Sequence, residues 1–283
     1  MGSELVRQLA AGGASVRAFV RDEARARAIL DRLPLEFALG DLSEPETVER
    51  AARGCARLFL LTPDGPGQVA MATRAARAAV EAGVGYIVSL SSSDSAREAP
   101  FAWAQAHHAI EEHVENLGVH YTHLRPHYFM PNLLDELQVE VGTLVLRVPM
   151  GRGRISAVDV RDIAACAATV LAGEPLGRPA VLTGGESFTL AEAAAVLAEH
   201  SGIPIRHDDE DPKQHLESML ARGVERAEAE SISLLYELGR SGYLDRVTGE
   251  VEAITGRPPR RLGEFAAEVA APVLRDRYQE TFK

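Results

Sequence analysis

The stretch 57-RLFLLTPDGPGQVAMATRAARAAVEAGVGYIVSLS-91 decides the fold. It opens on a short apolar run, Arg57 to Thr62, of the kind that fits a pleated, half-buried surface. A loop rich in Gly and Pro breaks that run. An alanine-rich segment of helical period then spans residues 66–82 and closes at Gly83, whose freedom at positive φ suits a helix end. A second β-branched run, Gly85 to Ser91, follows. Strand, crossover helix and strand at this spacing make a unit whose two strands lie parallel, because the helix returns the chain to the end where it started.

The rhythm repeats outward in both directions. Upstream, residues 3–11 read as a helix stopped by Gly12 and Gly13, 15–20 as a strand, and 22–32 as a helix. Residues 35–39 then read as a strand and 44–53 as a helix with Ser43 as its cap. Downstream, helix 103–117 leads to strand 119–124. After Pro126 the pattern changes: 128–142 reads as helix, 143–148 and 154–158 as extended, and 160–172 as a helix opened by Asp159. A short strand, 179–182, comes next, and from Thr189 the chain is mostly helical. The expectation is an α/β protein with two parts. Residues 1–183 form a Rossmann-like, doubly wound parallel sheet without its first strand, and 184–283 form a smaller, mostly helical lobe on the substrate side.

Composition narrows the function. The 283 residues are 46% apolar and 25% charged, enough for a sizeable core, and the formal charge is −11 with no basic tract, which speaks against a nucleic-acid surface. Two cysteines, Cys55 and Cys166, make no disulfide framework and match no paired metal-ligand spacing, so a cytoplasmic setting is expected. No apolar run reaches the roughly 18 residues that span a bilayer. The expected partner is a small molecule, with neither nucleic acid nor membrane, and a homodimer is possible. Of the 30 basic residues only Lys213 and Lys283 are lysines, so nothing before residue 213 supplies a lysine amine.

The chain carries Arg21-Asp22, Gly40-Asp41-Leu42, Leu61-Thr62-Pro63, Ser89 to Ser92, Glu111-Glu112, 122-THLRPHYFMPN-132, 159-DVRDIA-164 and 255-TGRPP-259. Together these segments resemble the NmrA-like branch of the atypical short-chain dehydrogenase/reductases, including its NAD(P)H:quinone reductase-type members. The resemblance covers nearly the whole chain. It implies a dinucleotide, NADP by preference with NAD possible, and reduction of a small flat acceptor such as a quinone or azo compound. A non-catalytic regulator that senses NAD(P), or a truncated protein with impaired cofactor binding, is the alternative. Against the family pattern the chain lacks the first strand and the leading glycines of the G-x-T-G-x-x-G turn. It begins Met1-Gly2-Ser3, as if at the last glycine of that turn, and a misassigned start with roughly 10 to 15 residues upstream is expected.

Candidate cofactor contacts follow from position at strand ends. Gly2 opens the first helix, where backbone amides favour phosphate. Arg21, 19 residues later, stands where an arginine selects a 2′-phosphate and an acid would select the ribose hydroxyl; Asp22 keeps NAD open, and Arg25 is a second contact. Asp41 and Leu42 border the adenine by resemblance, and Leu61, Thr62 and Pro63 end the fourth family strand. Ser91 sits at the family's serine position. The Tyr-x-x-x-Lys pair is replaced by Trp103-x-x-x-His107, so the catalytic group is unknown; His107, Pro126, His127 and Tyr128 are expected near the cofactor or substrate, with Phe129 and Asn132 facing the same space. The six histidines between 107 and 127 lack an H-E-x-x-H spacing, so no metal is expected. Ser91 to Ser93 lack a G-x-S-x-G elbow, which disfavours a hydrolase. Asp159 and Asp162 read as helix-start residues.

Overall fold

The computed structural model describes residues 1–30 and 33–281. Its first part alternates helix and strand: α1 (Gly2–Ala11), β1 (Arg17–Val20), α2 (Glu23–Ile29), β2 (Glu36–Leu39), α3 (Pro45–Ala52), β3 (Arg57–Leu60), α4 (Gln68–Glu81), β4 (Tyr86–Leu90), α5 (Ala102–Glu115) and β5 (His120–Pro126). Then come α6 (Asn132–Asp135), β6 (Leu137–Glu140), β7 (Thr143–Arg147), β8 (Arg154–Ile155), α7 (Val160–Ala172), β9 (Pro179–Leu182), β10 (Phe188–Thr189), α8 (Leu190–Ser201) and β11 (Ile205–Asp208). The chain ends in α9 (Pro212–Ala221), α10 (Arg226–Arg240), α11 (Glu250–Thr255), α12 (Leu262–Phe265), a π-helical turn (Ala266–Ala270) and α13 (Ala271–Thr281).

Contacts divide the chain into two compact units. The first holds Met1–Pro126, Arg161–Leu182 and Ala253–Gly256; the second holds His127–Val160, Thr183–Glu252 and Arg257–Lys283. The chain passes between the two units after Pro126, Val160, Leu182, Glu252 and Gly256. The segment 127–160 therefore belongs to the same unit as most of the later helices.

In the first unit every strand pair is parallel, as the crossover reading requires. β3, β4, β5 and β9 lie side by side in that order, and β1 pairs with β2. Among the described residues β1 and β3 each have one neighbour only. β4 is buried from Tyr86 to Ser89, as expected of a strand covered on both faces. The apolar stripe of α4 (Ala72, Ala75, Ala76, Ala79) packs with Val48 and Ala52 of α3, Leu60, Ile87, and Ile110 and Val114 of α5 in one buried cluster. Small alanines let the helices sit close to the sheet and to one another.

The second unit corrects two sequence expectations. Residues 128–142 are not one helix: α6 covers a single turn, and Leu137–Glu140 is a strand antiparallel to β7. Leu134 and Leu137 fit a helical period while Leu137 and Val139 fit a strand's alternation, and pairing with β7 settles it. β11 pairs parallel with β7, a strand within the stretch expected to be helical. The cap of α3 also moves: the helix starts after Glu44, and Ser43 instead donates to Asp41.

Arginines fasten several helix ends across the chain. Arg17 Nη1 donates to the carbonyls of Ala51 and Arg53 at 2.6 and 2.7 Å, at the end of α3. Arg57 does the same to Leu171 and Gly173 at the end of α7, and Arg275 to His200 and Ser201 at the end of α8. The last carbonyls of a helix have no intrahelical donor, and a guanidinium fork satisfies two at once.

Candidate functional site

The register Val20↔Leu39 brings the ends of β1 and β2 side by side. Arg21, just past β1, is exposed and near enough to Asp41 to help hold its carboxyl below the ordinary value. The larger causes of that lowering are hydrogen bonds from Ser43, whose N–H and hydroxyl donate to Asp41 Oδ1 at 2.8 and 2.7 Å. Asp22 Oδ1 accepts the N–H of Arg25 at 3.0 Å and so caps α2. Its carboxylate is already engaged, while Arg25 is exposed. Gly40 lies in a tight corner: a Cβ there would come within 2.5 Å of the Phe19 ring and 2.6 Å of Thr47. Leu42 is half-buried against the α3–α4 cluster.

At β3 the chain leaves the sheet through Leu61, Thr62 and Pro63, of which Leu61 and Pro63 are exposed. A Cβ on Gly2 would lie 3.8 Å from Leu61 Cδ2, so the start of α1 adjoins this loop. The amides of Glu4 and Leu5 both bond to the Met1 carbonyl, which leaves those of Gly2 and Ser3 as the helix's open donors. The next residue of the loop, Asp64, was not singled out in the sequence. Its Oδ1 lies 3.5 Å from His107 Nε2 and accepts from Gln68 Nε2 at 2.9 Å. The hydrogen bond from His107 is the main cause holding the Asp64 carboxyl below its ordinary value, against partial burial. The signal available was its place directly after the strand-end motif.

The ends of β4 and β5 are tied to α5 by a buried carboxylate. Glu111, 3% exposed, accepts from Arg125 Nε and Nη2 at 2.9 and 2.5 Å and from Ser95 Oγ at 2.8 Å. Burial pushes its carboxyl up, but Arg125 above all draws it below its ordinary value. Ser91 is buried here, with its N–H on the Leu124 carbonyl at 2.7 Å, and Pro126 is buried with its carbonyl accepting from Ser93 at 3.0 Å. Behind them Ser89 Oγ and His123 Nδ1 are 2.7 Å apart, with Glu115 3.4 Å from His123 Nε2. Serine, histidine and glutamate thus stand in line, yet Ser89 is 1% and His123 0% exposed, so the serine has no access to a substrate.

His127 and Tyr128 fall in the second unit, directly after β5, as do Phe129 and Asn132. His127 is buried and Tyr128 half-buried. The Tyr128 phenol is bonded to Tyr236, whose hydroxyl donates to Glu136 Oε1 at 2.6 Å. Burial pushes both phenols and the Glu136 carboxyl up. His215 lies edge-on to Tyr236, with Nε2 4.0 Å from Glu136 Oε2. It is 0% exposed, and among the described residues neither ring nitrogen has a hydrogen-bond partner. Asp159 and Asp162 are buried. The structure therefore gathers Gly2, Arg21, Asp41, Leu61 to Pro63, Ser91, His107 and Pro126 within the first unit, around the C-terminal ends of its strands, where ligands of open parallel sheets bind.

The NAD(P)H-binding family model matches residues 1–173. An NAD(P)H azoreductase of Xenophilus azovorans is 34% identical over 272 residues, covering 96% of this chain and 95% of that protein. Quinone oxidoreductase 2 of Escherichia coli is 29% identical over 197 residues, covering 68% and 67%. Among solved structures, the Escherichia coli NADPH-dependent quinone oxidoreductase complexed with NADPH has a TM-score of 0.81 at 22% identity, covering 94% of this chain and 95% of that one. NmrA, a negative transcriptional regulator, in complex with NAD has a TM-score of 0.78 at 19% identity, covering 98% and 94%. These two likenesses establish the fold. No helix among the described residues is long and apolar enough to cross a membrane. The chain belongs to the NAD(P)H-binding family and has a Rossmann-like α/β fold of the kind seen in these structures.

Proposed function

We propose that this protein is a reductase that prefers NADPH and acts on a small, flat, conjugated acceptor of the azo or quinone class. The cofactor, when bound, supplies the hydride. The residues of the first unit fit it: the open amides of Gly2 and Ser3 suit the pyrophosphate, and Asp41 and Leu42 suit the adenine end. Leu61, Thr62 and Pro63 would wall the groove, and Ser91 and Pro126 would bound its nicotinamide end. The preference for NADPH rests on one observation. Asp22, the acid that would take a ribose 2′-hydroxyl, turns its Oδ1 to the cap of α2, while Arg21 stays exposed beside it. The acceptor class rests on the 34% identity to an azoreductase along 96% of the chain.

The test is twofold. Fluorescence titration should show NADPH binding more tightly than NADH, and a panel of quinones and azo dyes should include acceptors that drive NADPH consumption. Binding without consumption across the panel would favour the regulator instead. Equal affinity for the two dinucleotides would remove the role given to Arg21.

A further inference from the structure

We propose that His107, backed by Asp64, is the acid that protonates the acceptor as it is reduced; this rests on the reductase reading above. An azo group or quinone that receives a hydride is left with a negative charge on its other reacting atom, and a positioned acid lowers the barrier. The usual phenol and ammonium are missing from α5, where Trp103 and His107 take their places, and no lysine precedes residue 213. Yet His107 is not an ordinary surface histidine. Its side chain is 13% exposed, and Nε2 faces Asp64 Oδ1 at 3.5 Å. Among the described residues Nδ1 has no hydrogen bond, so it is the nitrogen left to serve a ligand.

Asp64 is suited to the supporting role. Gln68, 3% exposed, fixes its carboxylate, while its own side chain is 73% exposed and in touch with solvent. A carboxylate facing Nε2 fixes the ring's orientation and leaves Nδ1 as the nitrogen turned toward a ligand. Place also supports the assignment: the four residues Leu61 to Asp64 run from the contact with Gly2 at the start of α1 to His107, so the phosphate end and the acid share one loop. Other groups of this edge are unsuited. Glu111 is held ionised by Arg125, Asp41 is held ionised by Ser43, and His123 is sealed behind Ser89.

The step balances. The hydride brings two electrons and one hydrogen to the acceptor. The Nδ1–H bond of the imidazolium breaks as an N–H or O–H bond forms on the charged acceptor atom, giving the hydrazo compound or the hydroquinone. The ring becomes neutral, keeping Nε2–H toward Asp64, and water then returns the proton to Nδ1.

The experiment uses the full chain as wild type, His107→Gln, His107→Gly and Asp64→Asn. NADPH fluorescence titration should be unchanged in all four, while turnover of an azo dye and a quinone falls about 10²- to 10⁴-fold in His107→Gln. Asp64→Asn should show a smaller loss, and added imidazole should restore part of the His107→Gly activity. Nitrogen-15 spectra of the cofactor-free protein should place the neutral ring's proton on Nε2 in wild type and lose that preference in Asp64→Asn. His107→Gln that turns over as wild type does overturns the inference alone, and so does His107→Gln that loses NADPH binding in step with turnover. If His107→Gln fails to fold, full activity of Asp64→Asn overturns it. Wild type that binds NADPH but consumes it with no acceptor overturns the reductase reading and this inference together.

Discussion

Replacing His215 with leucine should make the protein less sensitive to acid. Burial is the main force that lowers the His215 ring from its ordinary 6.5 to about 4, with Arg222 adding to it. The folded value lies below the unfolded one, so the unfolded chain takes up the proton first. Stability is then full above about pH 7 and is lost as pH falls from about 6.5 toward 4. A gap of about 2.5 units corresponds to about 3 kcal/mol in all, of which about 2 kcal/mol is lost by pH 5. Glu136 works in the opposite direction, because burial raises its carboxyl and the folded state holds a proton there more readily. Comparing the variant with wild type cancels that contribution to first order. Near neutral pH the substitution should be mildly stabilising, by about 1 kcal/mol: removing two unpartnered nitrogens gains about 1–3 kcal/mol, and losing the edge-on contact with Tyr236 costs about 0.5–1.5 kcal/mol. Urea unfolding at about pH 7.5 and about pH 5 reads both. If wild type and His215→Leu lose equal stability between these conditions, His215 does not resist protonation in the folded state and the reasoning is wrong.

Arg21→Ala should weaken NADPH about 10- to 100-fold, the worth of charge-assisted bonds to a 2′-phosphate, and leave NADH unchanged; an equal loss for both would contradict the assignment. Gly40→Ala should cost about 1–3 kcal/mol, seen as a lowered Tm, because its Cβ meets Phe19 and Thr47, and an unchanged Tm would show that the corner can open. Glu111→Gln leaves Arg125 without its charge partner in a mostly buried place, at a cost of about 3 kcal/mol in urea unfolding. The sign with pH is that of a depressed carboxyl. The wild-type advantage holds above the ordinary glutamate value and fades as pH falls through the lower folded one, so a gap between the two proteins that widens in acid would be the wrong outcome.

The parallel sheet was readable because its signals are local: apolar runs of strand length, alanine-rich helices and glycines at their ends recur at crossover spacing from β1 to β5. Residues 128–142 were misread because Leu133, Leu134, Leu137 and Val141 satisfy a helical period, and only the non-local pairing with β7 separates the two answers. Arg21, Asp41 and Leu61 could be placed from strand ends alone. Asp64 could not, since a lone aspartate between Pro63 and Gly65 reads as a turn residue until α5 brings His107 against it. Tyr128 shows the reverse case: a motif residue whose hydroxyl is bound within its own unit by Tyr236, 108 positions later in the sequence, a separation no local pattern reveals.

The arginines at the ends of α3, α7 and α8 set how the molecule meets strong base. An ammonium gives up its charge near pH 10.4, roughly, whereas a guanidinium keeps it above about 12. Helix ends clasped by Arg17, Arg57 and Arg275 therefore hold through alkaline conditions that would release lysine clasps. Failure in base should begin where tyrosines ionise. The same scarcity of amines leaves acylating reagents few side chains to find: Lys213 and Lys283.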